Sequence, residues 1–180
     1  GRLDIAVNNA GVISIKSIDE LTLDDWERLM QVNVRGVFLC TQAALRVMRP
    51  RGFGRIVNIT SISVMMPIPG LDLSSAARAG LTSFLAGVAP KVAAQNVTIN
   101  NILPGFFLTD RHNTAFKQAM DERDLSLEEA IAERAEAVPA KRFGIPEEFG
   151  EACAFLCGSS AGYITGQNLV IDGGRYPGTF

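Results

Sequence analysis

The sequence predicts an α/β fold built on a parallel sheet, because short apolar runs of strand length alternate with longer segments of helical periodicity. The chain has 180 residues, of which 47% are hydrophobic and 20% are charged. This length and composition are typical of one globular domain with its own apolar core. Neither internal repeats nor a linker divides the chain, so a single domain is expected.

The net charge, the length of the apolar runs and the spacing of the cysteines each exclude a class of protein. The formal net charge of −2 gives no basic excess for binding nucleic acid. No uninterrupted apolar run reaches the roughly 18 residues of a membrane span. The three cysteines are odd in number and lack paired C-x-x-C spacing, which favours a reducing compartment over disulfides or a metal site. We therefore expect a cytoplasmic protein without nucleic-acid, membrane or metal partners.

Four apolar runs are predicted strands, and each is followed by small or polar residues. The runs are residues 3–7, 54–59, 97–103 and 168–171. The segments that follow them are Asn8-Asn9-Ala10-Gly11, Thr60-Ser61-Ile62-Ser63, Pro104-Gly105 and Asp172-Gly173-Gly174. Because open parallel sheets bind ligands at the carboxyl ends of their strands, these segments are the candidate site.

The segments between the strands are predicted helices. Residues 22–25 have the spacing of a capping box and begin one long helix that ends before Pro50. A second helix covers residues 74–94. The third begins at Pro146, a residue that suits the first position of a helix, and it has an apolar face that would pack on the sheet.

A long polar connection at about residues 109–138 is predicted to be a partly helical lid, since connections of this length are usually functional. Ser126 and Glu129 have capping-box spacing within it, which predicts a short helix. His112, the single histidine, lies in the same connection and is expected to be a solvated side chain and not a catalytic acid.

Four segments in a fixed order resemble the short-chain dehydrogenase/reductase family. They are residues 8–11, 54–61, Pro104-Gly105 and 166–174. Each segment is a weak signal alone, but the ordered set covers almost the whole chain. The resemblance implies the C-terminal portion of a Rossmann-type doubly wound parallel sheet, with strands that correspond to strands 4 to 7 of the family fold. It also implies NAD or NADP as cofactor, hydride transfer between an alcohol and a carbonyl, and a homodimer or homotetramer.

The beginning of the chain departs from the family pattern. Family members begin with a strand and a glycine-rich turn that holds the cofactor pyrophosphate, and this phosphate-binding segment is not found before Asn8. The first predicted strand would then be an exposed apolar edge, which native proteins avoid. We expect residues 1–180 to be one Rossmann-type domain that is incomplete at its N-terminus.

The catalytic positions depart from the family pattern as well. Ser61 matches the catalytic serine, but Ser74 and Arg78 occupy the positions of the tyrosine and lysine that follow it. Asn33 matches the asparagine that holds a water in the family's proton relay. A serine hydroxyl is far less acidic than a phenol, and arginine is permanently charged. The resemblance therefore implies a catalytic set of Ser61, Ser74, Arg78 and Asn33 in which the acid has changed.

Cofactor contacts are implied at two strand ends. The residues implied are Asn8, Ala10, Gly11, Arg78, Pro104, Gly105, Phe107 and Thr109. The first three would border the adenosine and ribose side, although an ordinary strand-end turn explains them equally well. Arg78 could bind ribose hydroxyls, and the loop after Pro104 would meet the nicotinamide carboxamide.

Three functions are compatible with these residues. The first is an atypical NAD(P)-dependent short-chain oxidoreductase that acts on a ketone, an alcohol or an oxoacyl-like small molecule. The second is a catalytically silent subunit that binds cofactor or completes a hetero-oligomer, because both the tyrosine and the lysine are replaced. The third is a non-redox lyase resembling halohydrin dehalogenases, a class that Arg78 fits and Ser74 does not.

Overall fold

Four parallel strands form the sheet of the computed structural model, which describes residues 1–109, 120 and 123–178. The strands are β1 (Ile5–Asn8), β2 (Gly54–Ile59), β3 (Val97–Pro104) and β4 (Asn168–Ile171), and they are adjacent in that order. The predicted α/β fold with a parallel sheet is confirmed, and each predicted strand lies within about two residues of its observed bounds.

The first long helix of the prediction consists of three parts. They are α1 (Leu23–Met30), a π-helical segment (Gln31–Gly36) and α2 (Val37–Met48). The predicted capping box is present: the Thr22 hydroxyl accepts from the Asp25 N–H at 3.1 Å, and the Asp25 carboxylate accepts from the Thr22 N–H at 3.0 Å. Periodicity alone did not predict the π-helical segment, which turns one polar side chain, Asn33, inward.

The remaining helices are α3 (Asp72–Val92), α4 (Leu127–Ala135) and α5 (Pro146–Cys157). Helices α2 and α3 cover one face of the sheet, where Met48 and Leu85 pack with Ile56 and Ile99. Helix α5 covers the other face through Leu156, which packs on Val57 and Ile102. Both faces of the central strands are thus buried, as expected for near-continuous apolar strands in a parallel sheet.

Strand β1 is the edge of the described sheet, as the sequence predicted. It pairs with β2 alone, and its side chains Ile5 and Val7 are 46% and 45% exposed. None of the helices in the described part of the chain combines the length and hydropathy that a membrane span requires.

Two of the three cysteines lie on α5. Burial raises the pKa of Cys157 to about 11 and also raises that of Cys153, so both are thiols near neutral pH. Within residues 1–109, 120 and 123–178, no group of three or more histidine, cysteine or acidic side chains is placed to hold a metal ion.

The helical part of the predicted lid is present in α4. The Ser126 hydroxyl and the Glu129 carboxylate form the predicted capping box. Ala130 of α4 packs with Val138 and Phe143. Residues 110–119 and 121–122, which include His112, lie outside the described residues.

Candidate active site at the carboxyl edge of the sheet

The four strand ends meet at one edge of the sheet, because all four strands run parallel. The loops after β3 and β4 are joined directly, since the Gly105 N–H donates to the Ile171 carbonyl at 2.8 Å. A Cβ on Gly105 would lie 2.6 Å from the Cβ of Asp172, so only glycine fits between the two loops. Two of the segments that the sequence singled out, those after β3 and β4, are thus in direct contact.

Arg78 is buried, at 8% exposure, beside the end of β2 and the turn after β1. Its Nη1 donates to the carbonyls of Ile59 and Thr60, each at 3.0 Å, and its Nε donates to the Ser74 Oγ at 3.4 Å. A Cβ on Gly11 would lie 2.8 Å from Nη2, so the absence of a side chain there makes room for the guanidinium. Arg78 therefore connects α3, the end of β2 and the turn after β1.

The oxygens of Ile59, Thr60 and Ser74 that accept from Arg78 are neutral, two of them backbone carbonyls and one a hydroxyl. A guanidinium keeps its charge at all physiological pH values. A buried cation solvated by dipoles creates a positive potential in its surroundings, and a developing oxyanion nearby would be stabilised by it. Arg78 can therefore act electrostatically, but it cannot transfer a proton as lysine can.

Asn33 contacts the turn after β1 with both polar groups of its amide. Its Nδ2 donates to the Val12 carbonyl at 2.8 Å, and its Oδ1 accepts from the Val12 N–H at 2.9 Å. The π-helical segment places this buried side chain under the turn, beside Gly11. Asn33 thereby fixes the backbone that faces Arg78. Its implied role in holding a catalytic water remains a prediction.

Ser61 and Ser74 differ in accessibility. The Ser61 hydroxyl accepts from the Ser63 N–H at 3.1 Å at the start of a short 3₁₀ helix, and the side chain is half-buried. Its own O–H proton is not used in that bond and can point to a ligand. Ser74 is 2% exposed and lies one turn before Arg78 on the same face of α3. Ser61 is therefore the more accessible hydroxyl.

The implied cofactor residues are placed unequally. The Nδ2 of Asn8 donates to the Oδ1 of Asn58 on the neighbouring strand, at 2.7 Å. Ala10, by contrast, is exposed at the surface. On the β3 side, Thr109 is exposed, but the Phe107 ring is buried and packs on Phe149 with ring centroids 5.4 Å apart. The ring of Phe107 thus belongs to the core, which leaves only its backbone for a ligand.

Sequence reasoning did not single out the polar residues inside the strands. Asn58 and Asn101 are buried below the site and are bonded to each other. A spacing signal was present for the asparagines: Asn58 precedes Ser61 by three residues, and Asn101 precedes Pro104 by three.

The chain matches the family model described as enoyl-(acyl carrier protein) reductase over residues 1–175. It is 39% identical over 174 residues to a 3-oxoacyl-[acyl-carrier-protein] reductase from Synechocystis sp., covering 96% of this chain and 65% of that protein. An acetoacetyl-CoA reductase from Cupriavidus necator is 32% identical over 178 residues, with 99% of this chain and 68% of the relative covered. The chain therefore spans less than two thirds of the length of the Synechocystis protein.

Solved structures agree with these relatives. An NADPH-dependent reductase involved in bacilysin biosynthesis superposes with a TM-score of 0.90 at 29% identity, covering 97% of this chain and 67% of that one. A levodione reductase superposes with a TM-score of 0.88 at 29% identity, covering 98% and 68%. These matches confirm the Rossmann-type α/β fold that the resemblance implied. The chain belongs to the short-chain dehydrogenase/reductase family.

Proposed function

We propose that the protein is an NAD(P)-dependent oxidoreductase that reduces the ketone of an oxoacyl-like substrate. The observation that carries the proposal is the buried Arg78 cation bound to the carbonyls of Ile59 and Thr60, which directly precede the half-buried Ser61. The names of two relatives, a 3-oxoacyl-[acyl-carrier-protein] reductase and an acetoacetyl-CoA reductase, support this substrate class. The apolar residues between Ser61 and Ser74 suit the acyl part of such a substrate.

The residues at the strand ends fit a dinucleotide in part. The exposed Ala10 and Thr109 leave room for a neutral ribose and a carboxamide, and Gly105 brings backbone to the surface without a side chain. No residue of this chain is assigned to the pyrophosphate. When bound, the reduced nicotinamide supplies the two electrons and the hydrogen that are transferred to the carbonyl carbon.

This chain's own residues act on the carbonyl oxygen. The Ser61 hydroxyl donates a hydrogen bond to it, and the positive potential of Arg78 stabilises the negative charge that develops there. Neither a serine hydroxyl nor a guanidinium is a general acid near neutral pH. The proton that completes the alcohol therefore comes from solvent, which distinguishes this site from the tyrosine and lysine arrangement of the family.

Replacing Ser61 with alanine tests its role. We expect Ser61→Ala to lower kcat for ketone reduction about a hundredfold, the usual effect of removing one oxyanion donor. The matched control is Ser160→Ala, an exposed serine in the 3₁₀ turn after α5, which should keep wild-type kcat. Equal rates for Ser61→Ala and wild type would exclude Ser61 from the chemistry.

We also propose that the protein is a homodimer or homotetramer assembled through α2 and α3. Four apolar side chains on these helices are exposed: Phe38, Leu39, Val47 and Phe84. The rings of Phe38 and Phe84 lie 5.8 Å apart and border a groove of about 640 Å³ that continues to Trp26 on α1. Contiguous apolar patches of this kind are typical of protein interfaces.

A charge placed in this patch should prevent assembly. We expect Phe84→Glu to shift the molar mass in light scattering to that of a monomer, because an interface would bury the carboxylate without a partner. Leu127→Glu on α4 is the matched control, since Leu127 and Phe84 are both 46% exposed. An unchanged mass for Phe84→Glu would contradict assembly through these helices.

A further inference from the structure

An uninterrupted chain of asparagine amides crosses all four strands. Asn8, Asn58, Asn101 and Asn168 lie directly opposite one another in the registers of β1 to β4. Asn8 Nδ2 donates to Asn58 Oδ1 at 2.7 Å, and Asn58 Nδ2 donates to Asn101 Oδ1 at 3.1 Å. Asn101 Nδ2 completes the chain by donating to Asn168 Oδ1 at 2.8 Å. We call this set the amide ladder.

The direction of the amide ladder is set by the backbone. Asn58 Nδ2 also donates to the Asn100 carbonyl at 3.3 Å, and a carbonyl oxygen can only accept. The Nδ2 of Asn58 must therefore face β3, which leaves its Oδ1 for Asn8. Every link of the ladder then runs from β1 towards β4. Such aligned amides polarise one another, so each link strengthens its neighbours.

Burial makes the ladder costly to break. Asn58 and Asn101 are 1% and 3% exposed, and a buried amide that loses its partner keeps the full cost of having left water. Asparagine is also depleted in strands, so strand propensity does not explain why four asparagines occupy paired positions. A one-residue slip of any strand would move its asparagine to the opposite face of the sheet. The ladder therefore selects one register for all four strands.

The position of the ladder relates it to the site. Asn8 precedes Gly11 by three residues, and Asn58 precedes Ser61 by three. Asn101 has the same spacing to Pro104. Three residues of strand span only about 10 Å, so the ladder lies just below the loops that carry the candidate site.

We propose that Asn58 and Asn101 are positioning residues. They keep the ends of the strands in register, so that the hydroxyl of Ser61 keeps its position relative to Arg78. The effect on strand register is independent of the reaction. The effect on turnover rests on the proposed function. The two parts are therefore tested by different measurements.

The register part is tested on the wild-type protein by side-chain amide exchange in NMR. We expect the donating Nδ2 protons of Asn58 and Asn101 to exchange at least about a hundredfold more slowly than those of Asn168, which is exposed and is the last amide of the ladder among the described residues. Exchange of the Asn58 protons at the rate of Asn168 would overturn the ladder, and this result needs no variant to fold.

The positioning part is tested with a matched pair of variants, Asn58→Ser and Asn100→Ser. Both asparagines are 1% exposed, but the amide of Asn100 bonds to the backbone of Ile164 and Gln167 and is not part of the amide ladder. Asn58→Ser should shift the side-chain amide resonances of Asn8. It should also lower kcat about tenfold with little change in KM, because a small misplacement of reacting groups slows the chemical step.

Asn100→Ser should leave both the Asn8 amide resonance and kcat unchanged even where it lowers stability. An equal loss of kcat in the two variants would show a merely structural role and overturn the positioning part. If the wild-type protein proves inactive, the proposed function fails while the exchange and resonance measurements still decide the ladder.

Discussion

Replacing Arg78 with methionine is expected to lower the free energy of unfolding by about 2–4 kcal/mol, because buried carbonyls would lose their donors. The carbonyls of Ile59 and Thr60 both accept from Arg78 Nη1 at 3.0 Å. Methionine fills much of the same volume, so the loss measures hydrogen bonding more than a cavity. Urea unfolding of both proteins gives the difference.

Two further variants serve as comparisons for Arg78→Met. Arg46→Met removes an exposed arginine of α2 that donates only to Gln42, at 3.2 Å, and should change stability by less than about 0.5 kcal/mol. Arg78→Lys keeps the charge but loses the planar fork, so its stability should lie between those of wild type and Arg78→Met. An Arg78→Met protein as stable as the wild type would show that the hydrogen bonds of this guanidinium do not stabilise the fold.

Replacing Gly105 with alanine is expected to separate the ends of β3 and β4. The added Cβ would lie 2.6 Å from the Cβ and 2.8 Å from the Cα of Asp172, and backbone cannot move aside as a flexible side chain can. We expect a loss of about 2–3 kcal/mol, typical of overpacking, together with weaker nicotinamide binding at the adjacent loop. Unfolding and fluorescence titration with NADH and NADPH measure the two effects.

A second glycine provides the control for this substitution. Gly150 is an exposed residue of α5, outside the proposed interface of α2 and α3, and a Cβ there meets nothing within 4 Å. Gly150→Ala should therefore stabilise the protein by about 0.5–1 kcal/mol through the lower entropy of the unfolded chain. Equal effects of the two alanines would show that the close approach of Gly105 to Asp172 has no energetic consequence.

Local patterns in the sequence were sufficient for most of the fold. The capping boxes at Thr22 and Ser126 predicted helix starts, and Pro146 marked the start of α5, because these signals act within one turn of helix. The π-helical segment could not be predicted in the same way. The segment is only six residues long, which is too short for the apolar periodicity of residues 22–48 to reveal.

The bonding within the candidate site could not be predicted from the sequence. The family resemblance implies Ser61, Ser74 and Arg78 as site residues, which remains a prediction, and the structure brings Arg78 to Ser74 and to the strand end that precedes Ser61. The carbonyl acceptors of Arg78 are contributed by a strand that is distant in sequence, so spacing carries no information about them. For the same reason the partners of Asn58 on β1 and β3 become visible only in the folded sheet.

The most direct test of the proposed reaction is the oxidation of NADH or NADPH by the purified protein with acetoacetyl-CoA and a panel of other ketones. We predict oxidation that matches alcohol formation mole for mole and that falls about a hundredfold in Ser61→Ala. Nucleotide binding without oxidation across the panel would contradict the proposal and indicate a catalytically silent subunit. Release of halide from a halohydrin would contradict it in favour of a lyase.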